Sequence, residues 1–209
     1  IGSGVARAYG VVMEREGPGV VWDELSLIGS FTQRLDHQDA KHLAAQIERR
    51  NVDLMVFILG GNDLSRETTD LKRNTDPYER EYARVIRKFR AGKPQASCLI
   101  MSVTDHAERV GGAIVSRSIV ARLAAAQRKV AQQEGCAFYD TYGAMGGAGT
   151  VERWRKADPP MAAPDLRHPT LVGQRFIGNA LYQALMKAYA SYRGRQEGQP
   201  LPLAPVAER

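Results

Sequence analysis

At 209 residues, with 44% hydrophobic and 25% charged side chains, the chain has the composition of an ordinary folded domain and enough apolar mass for one sizeable core. Its longest apolar runs, Leu54 to Leu59 and Leu99 to Val103, are of strand length, so no membrane span is expected. The net charge of +6 comes from basic residues scattered through helical stretches such as Arg80 to Arg90, without any nucleic-acid motif, so it reads as a solvated surface and no nucleic-acid partner is expected.

The first two dozen residues stand apart. Val5 to Met13 and Val20 to Asp23, separated by Glu16-Gly17-Pro18-Gly19, read as two β segments joined by a turn, and residues 1–26 as the end of a β-rich module or a connecting hairpin. Beyond them apolar strand-length runs alternate with amphipathic helical stretches, the pattern of a parallel sheet covered by helices. A helix is expected over Phe31 to Arg49, with Leu35, Leu43 and Ile47 inward, and then a strand over Asp53 to Leu59. Asp76-Pro77 opens a helix that runs to about Arg90, and Gly92-Lys93-Pro94 precedes a strand over Ser97 to Ser102. A helix from about Ser116 to Gln133, stopped by Gly135, leads into a strand over Cys136 to Asp140. The last helix is expected over Leu171 to Tyr192, with Gly194 to Arg209 as a disordered tail.

Cys98 and Cys136 each open an expected buried strand. Packed free thiols are the first reading, since buried cysteine behaves as a small hydrophobe, and a disulfide between them is the alternative in an oxidising compartment.

Two segments carry chemistry. In Asp165-Leu166-Arg167-His168-Pro169-Thr170 a carboxylate stands three residues before an imidazole, where it can fix the ring's orientation and tautomer while the ring acts as a general base. In Leu59-Gly60-Gly61-Asn62-Asp63, at the end of an apolar strand, a flexible turn offers a side-chain amide of the kind an oxyanion hole uses. Asp63 reads as a turn-stabilising carboxylate. Asp105-His106 follows a strand end, where α/β sheets place ligands, so Asp105 is a candidate to border the cleft. Trp154 and Met145 are candidates to line an acyl or sugar pocket, with packing of the preceding loop as the alternative. His37, His42 and His106 read as ordinary surface residues, and no metal or cofactor is expected.

Together with Gly29, these segments resemble blocks II, III and V of the SGNH (GDSL-type) esterases. With Arg90 to Cys98, the small residues Gly143 to Gly147, Trp154 and the tyrosine-bearing end Tyr189 to Tyr192, the chain is similar over residues 9 to 193 to the branch that includes periplasmic peptidoglycan O-acetylesterases. The resemblance implies a three-layer α/β/α sandwich with a parallel sheet, the flavodoxin-like SGNH hydrolase fold, over residues 27–193. It also implies His168 as general base, Asp165 as its orienter, and Gly29 and Asn62 as oxyanion donors. Gly61, Asp105 and Trp154 would then touch substrate, an acylated carbohydrate or cell-wall glycan, in a periplasmic or extracellular setting. The Gly-Asp-Ser segment that carries the nucleophile in that family has no match here: Ser3 lies between glycines with no apolar strand before it. The chain is therefore expected to be the C-terminal part of a longer protein, with its serine upstream, and to be inactive alone. A non-catalytic module that binds glycan or protein is the alternative. A nucleotide-binding domain is disfavoured, because Gly60-Gly61-Asn62 is too short for a phosphate loop and lacks its lysine.

Overall fold

The computed structural model describes residues 4–5, 11–65 and 74–197. Its centre is a three-stranded parallel sheet in the order β1 (Leu54–Ile58), β2 (Ser97–Met101), β5 (Ala137–Tyr139). Leu54 pairs with Ser97 and Ile58 with Met101 along one side of β2, and Leu99 to Met101 pair with Ala137 to Tyr139 along the other. Cys98, Leu99, Ile100 and Met101 are all buried, so both faces of the central strand are covered, as an α/β fold requires.

Helices α1 (Thr32–Asp36) and α2 (Ala40–Arg50) precede β1, the short α3 (Gly61–Ser65) follows it, and α4 (Asp76–Arg90) leads to β2. The antiparallel pair β3 (Ala107–Val110) and β4 (Ala113–Ser116) then precedes α5 (Ile119–Glu134). After β5 come α6 (Thr141–Met145), α7 (Thr150–Lys156) and the long α8 (Leu171–Glu197). The main core joins Phe57 and Ile100 of the sheet to Tyr82 and Ile86 of α4 and to Val120, Leu123 and Val130 of α5. A second cluster of Ala107, Met145, Val151, Trp154, Ala162 and Leu166 sits beneath the segment that carries His168.

Several expectations need correction. The single helix over Phe31 to Arg49 is two helices, because the Asp39 carboxylate accepts from the His42 N–H at 2.6 Å and starts a new helix. Leu35 and Ile47 are buried as expected, and Leu43 is half-buried. The helix expected from Ser116 begins at Ile119, since Ser116 belongs to β4 and the β3–β4 hairpin was not anticipated. No strand forms among the described residues 11–31: without a partner strand their backbone groups have no ladder to join, and Val11, Val20 and Trp22 lie exposed. Both arms of this stretch meet Arg50, whose guanidinium bonds Glu14 at 2.9 Å and Asp23 at 2.7 Å. The expected segment Val5 to Met13 falls partly outside the described residues. At the other end α8 continues through Gly194 to Glu197, so the tail is shorter than anticipated, and residues 198–209 lie outside the described residues.

Cys98 and Cys136 form a disulfide and are not free thiols. Parallel pairing of β2 and β5 brings their Cα atoms to 4.8 Å, within the range a disulfide needs. Among the described residues no helix is long and apolar enough to cross a membrane.

Candidate active site

The loop from Pro164 to Pro169 is held by its own backbone. Leu166 takes a left-handed conformation, φ 62°, which costs a non-glycine residue on the order of 1 kcal/mol, and its side chain is buried in the second cluster. The Leu166 N–H donates to Ala163 O at 3.1 Å, Leu166 O accepts from the Ala107 N–H at 2.9 Å, and the Ala163 N–H donates to His168 O at 2.8 Å. That tight turn aims two backbone N–H groups at one carboxylate oxygen: Asp165 Oδ1 accepts from Arg167 at 3.0 Å and from His168 at 3.1 Å. The other oxygen, Oδ2, lies 2.5 Å from His168 Nδ1. Burial pushes the Asp165 carboxyl upward, but the His168 ring and the two backbone donors outweigh it and hold it at about 2. An ionised partner on Nδ1 keeps the proton there and turns Nε2 into the basic nitrogen, on a side chain that is 76% exposed.

The turn after β1 is equally constrained. Gly60 has φ 111°, and a Cβ placed on it would stand 2.8 Å from Gln127 Nε2, so the position admits only glycine. Buried Gln127 earns that proximity by tying the strand ends together: its Nε2 donates to Leu59 O at 2.9 Å, and its Oε1 accepts from the Val103 N–H at 2.8 Å. Asn62 Nδ2 donates to Ser30 O at 2.8 Å, and Asp63 accepts from Thr32, from N–H at 3.1 Å and from Oγ1 at 3.1 Å. Asp63, expected to stabilise its own turn, instead caps the distant α1, and burial pushes its carboxyl up against the pull of the Thr32 bonds. Gly29, φ 69°, sits in the turn closed by the Ser30 N–H on Leu27 O at 2.9 Å. Gly29 and Asn62 are therefore held in one unit, since Asn62 bonds the carbonyl of Ser30, the residue after Gly29.

His106 and Ala107 join this unit to the Asp165–His168 loop. The His106 Cε1 and Nε2 lie 3.5 Å from where a Gly61 Cβ would be, and the next residue, Ala107, donates to Leu166 O. The segments that carry Asn62 and His168 are thus bridged by His106 and Ala107, beyond the C-terminal ends of β1 and β2, the edge where α/β folds build sites.

The model of the GDSL-like Lipase/Acylhydrolase family matches residues 3–176. The chain belongs to that family. Among solved structures it is similar to a peptidoglycan O-acetylesterase, with 22% identity and a TM-score of 0.65 over 75% of this chain and 43% of that one. It is also similar to a carbohydrate esterase of family 3 from Talaromyces cellulolyticus, with 19% identity and a TM-score of 0.55 over 77% of this chain and 68% of that one. An acetylxylan esterase from Geobacillus stearothermophilus matches with 19% identity and a TM-score of 0.50 over 74% and 67% of the two chains. These likenesses show the fold, and the chain spans less than half the length of the first of them. No curated protein sequence matches it.

Within this GDSL-like domain the remaining candidates fall out differently. Asp105 is 1% exposed, and its Oδ2 accepts from Ser116 Oγ at 2.7 Å and from the Val151 N–H at 3.0 Å, so it fastens α7 to the hairpin and presents no surface to a ligand. Trp154 is buried, edge-on to Phe176, and packs under the Asp165–His168 loop, the packing alternative of its two readings. Ser30 Oγ is buried and makes no hydrogen bond, and among the described residues Asp165 is the one side chain bonded to the His168 ring. His106 is 5% exposed, not a surface residue. Its flanking charges, Asp105, Glu108 and Arg109, disguise that burial in the sequence. Gln127 was overlooked for a similar reason, since a glutamine in an amphipathic helix ordinarily faces solvent. Among the described residues no group of His, Cys, Asp and Glu is gathered to hold a metal ion.

Proposed function

We propose that this chain supplies the base and the oxyanion donors of a serine esterase that hydrolyses acetyl or other small acyl esters on a carbohydrate, with the glycan of peptidoglycan as the first substrate to test. The observation that carries this reading is the 2.5 Å contact between His168 Nδ1 and an Asp165 carboxylate already anchored by two backbone N–H groups. In this mechanism His168 Nε2 takes the proton of a serine hydroxyl as its oxygen attacks the ester carbonyl. The tetrahedral oxyanion receives the Gly29 N–H and the second N–H of the Asn62 amide, whose first is committed to Ser30 O. Protonated His168 then gives its proton to the departing sugar oxygen, and the same ring activates water to release the acid.

The serine itself belongs, on this reading, to residues outside the described ones, since no described serine bonds His168. The carbohydrate substrate is supported by the similar solved structures, a peptidoglycan O-acetylesterase and carbohydrate esterases among them. A periplasmic or extracellular setting is supported by the Cys98–Cys136 disulfide, since such bonds persist in oxidising compartments.

The test is acetate release from O-acetylated peptidoglycan, acetylxylan and p-nitrophenyl acetate by the full-length protein that contains this chain. Hydrolysis abolished by His168→Ala supports the reading. Glycan binding without turnover, unaffected by that substitution, would replace it with a non-catalytic binding module.

A further inference from the structure

We infer that His106 is a positioning residue for this site: a buried imidazole wedge that sets the separation between the Asn62 turn and the Asp165–His168 loop. The inference rests on the reading of those two segments as one site. Two contacts of His106 and one of the adjoining Ala107 support it. The ring edge abuts Gly61, with Cε1 and Nε2 3.5 Å from the position of a Gly61 Cβ. The His106 carbonyl accepts from the Arg117 N–H at 2.9 Å, which fixes the residue at the mouth of the hairpin, and the adjoining Ala107 N–H holds Leu166 O at 2.9 Å. The His106 ring therefore lies against the Asn62 turn, its carbonyl is held at the hairpin by Arg117, and its neighbour Ala107 is fastened to the Asp165–His168 loop.

The ring is 5% exposed, and its Nδ1 is buried without a hydrogen-bond partner. Such an orphaned polar atom carries a free-energy cost that an apolar side chain of similar size would avoid. A charged ring is disfavoured there. Burial, and then the positive charges of Arg167 and His168, lower the His106 imidazole to about 4, against the smaller opposing pull of Asp165. At pH 7 the wedge is neutral and adds no positive charge to the site.

The chain has four histidines, so their imidazole nitrogens can be followed separately in a ¹⁵N-labelled sample by NMR, with substitutions assigning each. The signal lost in His106→Gln should belong to a ring that stays neutral from pH 8 down to about 5. His106→Ala should shift the Gly61 amide, the Asn62 side-chain amide and the His168 ring signals, while the Ile100 amide in the central strand keeps its protection from exchange. His106→Gln, neutral and close in size, should leave the Gly61, Asn62 and His168 signals near their wild-type positions. If the Ala variant does not fold, the Gln variant and the wild-type titration still decide. A His106 ring that titrates near 6.5, site signals unmoved by Ala, or site signals displaced as far by Gln as by Ala would each overturn the inference. None of these signals needs ester turnover, so a failed hydrolysis assay sinks the functional reading alone, and a silent His106→Ala spectrum sinks this one alone.

Discussion

Asn62 Nδ2 donates to the carbonyl of Ser30 at 2.8 Å, across 32 residues of chain, and so joins the turn after β1 to the turn that carries Gly29. The bond orients the amide as well as placing it. With one N–H committed to Ser30, the direction of the other is set, which is the preorganisation an oxyanion donor needs. If the proposed esterase reading holds, Asn62→Ala in the active protein is expected to lower kcat by about 10² to 10³, the usual loss on deleting one oxyanion donor. Steady-state kinetics on an aryl acetate measures it, and a variant with unchanged kcat would remove Asn62 from the oxyanion site.

Gly60 and Gly61 are adjacent yet should respond oppositely to alanine. At Gly60 the backbone has φ 111° and a Cβ would meet Gln127 Nε2 at 2.8 Å and Val103 at 3.3 Å, so Gly60→Ala forces a shift in the buried amide that ties β1 to β2. A loss of about 1–3 kcal/mol is expected. At Gly61 the nearest atoms are those of His106 at 3.5 Å, ordinary contact, and Gly61→Ala should stay within about 1 kcal/mol of wild type. Urea unfolding of the three proteins separates the outcomes, and equal midpoints for both variants would contradict the geometry.

The lowered pKa of His106 has a signed consequence for stability. Its ordinary value is 6.5 and burial, aided by Arg167 and His168, takes it to about 4 in the fold. Between these values the unfolded chain binds the additional proton, so stability rises with pH from about 4 to 6.5 and then levels. The full change is about 3 kcal/mol at most. Asp165 acts in another window: its carboxyl moves from 3.8 to about 2, so its contribution is present above 3.8 and is lost as pH falls toward 2. Urea midpoints at pH 4.5 and 7.5 should differ in the wild type and converge in His106→Gln. A difference that persists in the variant assigns the effect to another group.

The Cys98–Cys136 disulfide closes a loop over a sequence separation of 38. On the chain-entropy account, loss of such a crosslink destabilises by about 4 kcal/mol. Adding a reductant, or replacing both cysteines by serine, should lower the urea midpoint accordingly, and an insensitive midpoint would mean that the reduced chain keeps the β2–β5 pairing at little cost.

Which parts of this fold and site were legible followed from how local their causes are. Asp165 and His168 could be read because their contact is made within three residues, by a turn whose own N–H groups grip the carboxylate. Strands β1, β2 and β5 could be read because each is a short apolar run between turn residues. The β3–β4 hairpin carries its signal too: Gly111 and Gly112, both with positive φ, form the two-residue turn that hairpins favour, but the helical periodicity that follows drew Ser116 into the wrong element. His106, Asp105 and Gln127 were not legible in this way. Their roles arise from contacts between segments distant in sequence, and nothing local distinguishes a polar side chain that will be buried there from one that faces water.

Hydrolysis itself gives the sharpest test of the site. In the 209-residue chain the His168 ring bonds Asp165 and no described serine, and Ser30 Oγ is buried without a hydrogen bond. On the reading that the nucleophile is not among these residues, the isolated chain is expected to hydrolyse p-nitrophenyl acetate no faster than the same chain with His168→Ala. A protein that joins this chain to the serine the proposal requires should turn the ester over and lose about 10⁴-fold or more of that rate on the same substitution, as when a triad loses its base. Asp165→Asn should also be severe, because an amide in place of the carboxylate removes the charge that keeps the Nδ1 proton in place and stabilises the ring once Nε2 is protonated. If the isolated chain shows His168-dependent turnover, its nucleophile lies within the 209 residues, and Ser3 and Ser30 are the two to replace first.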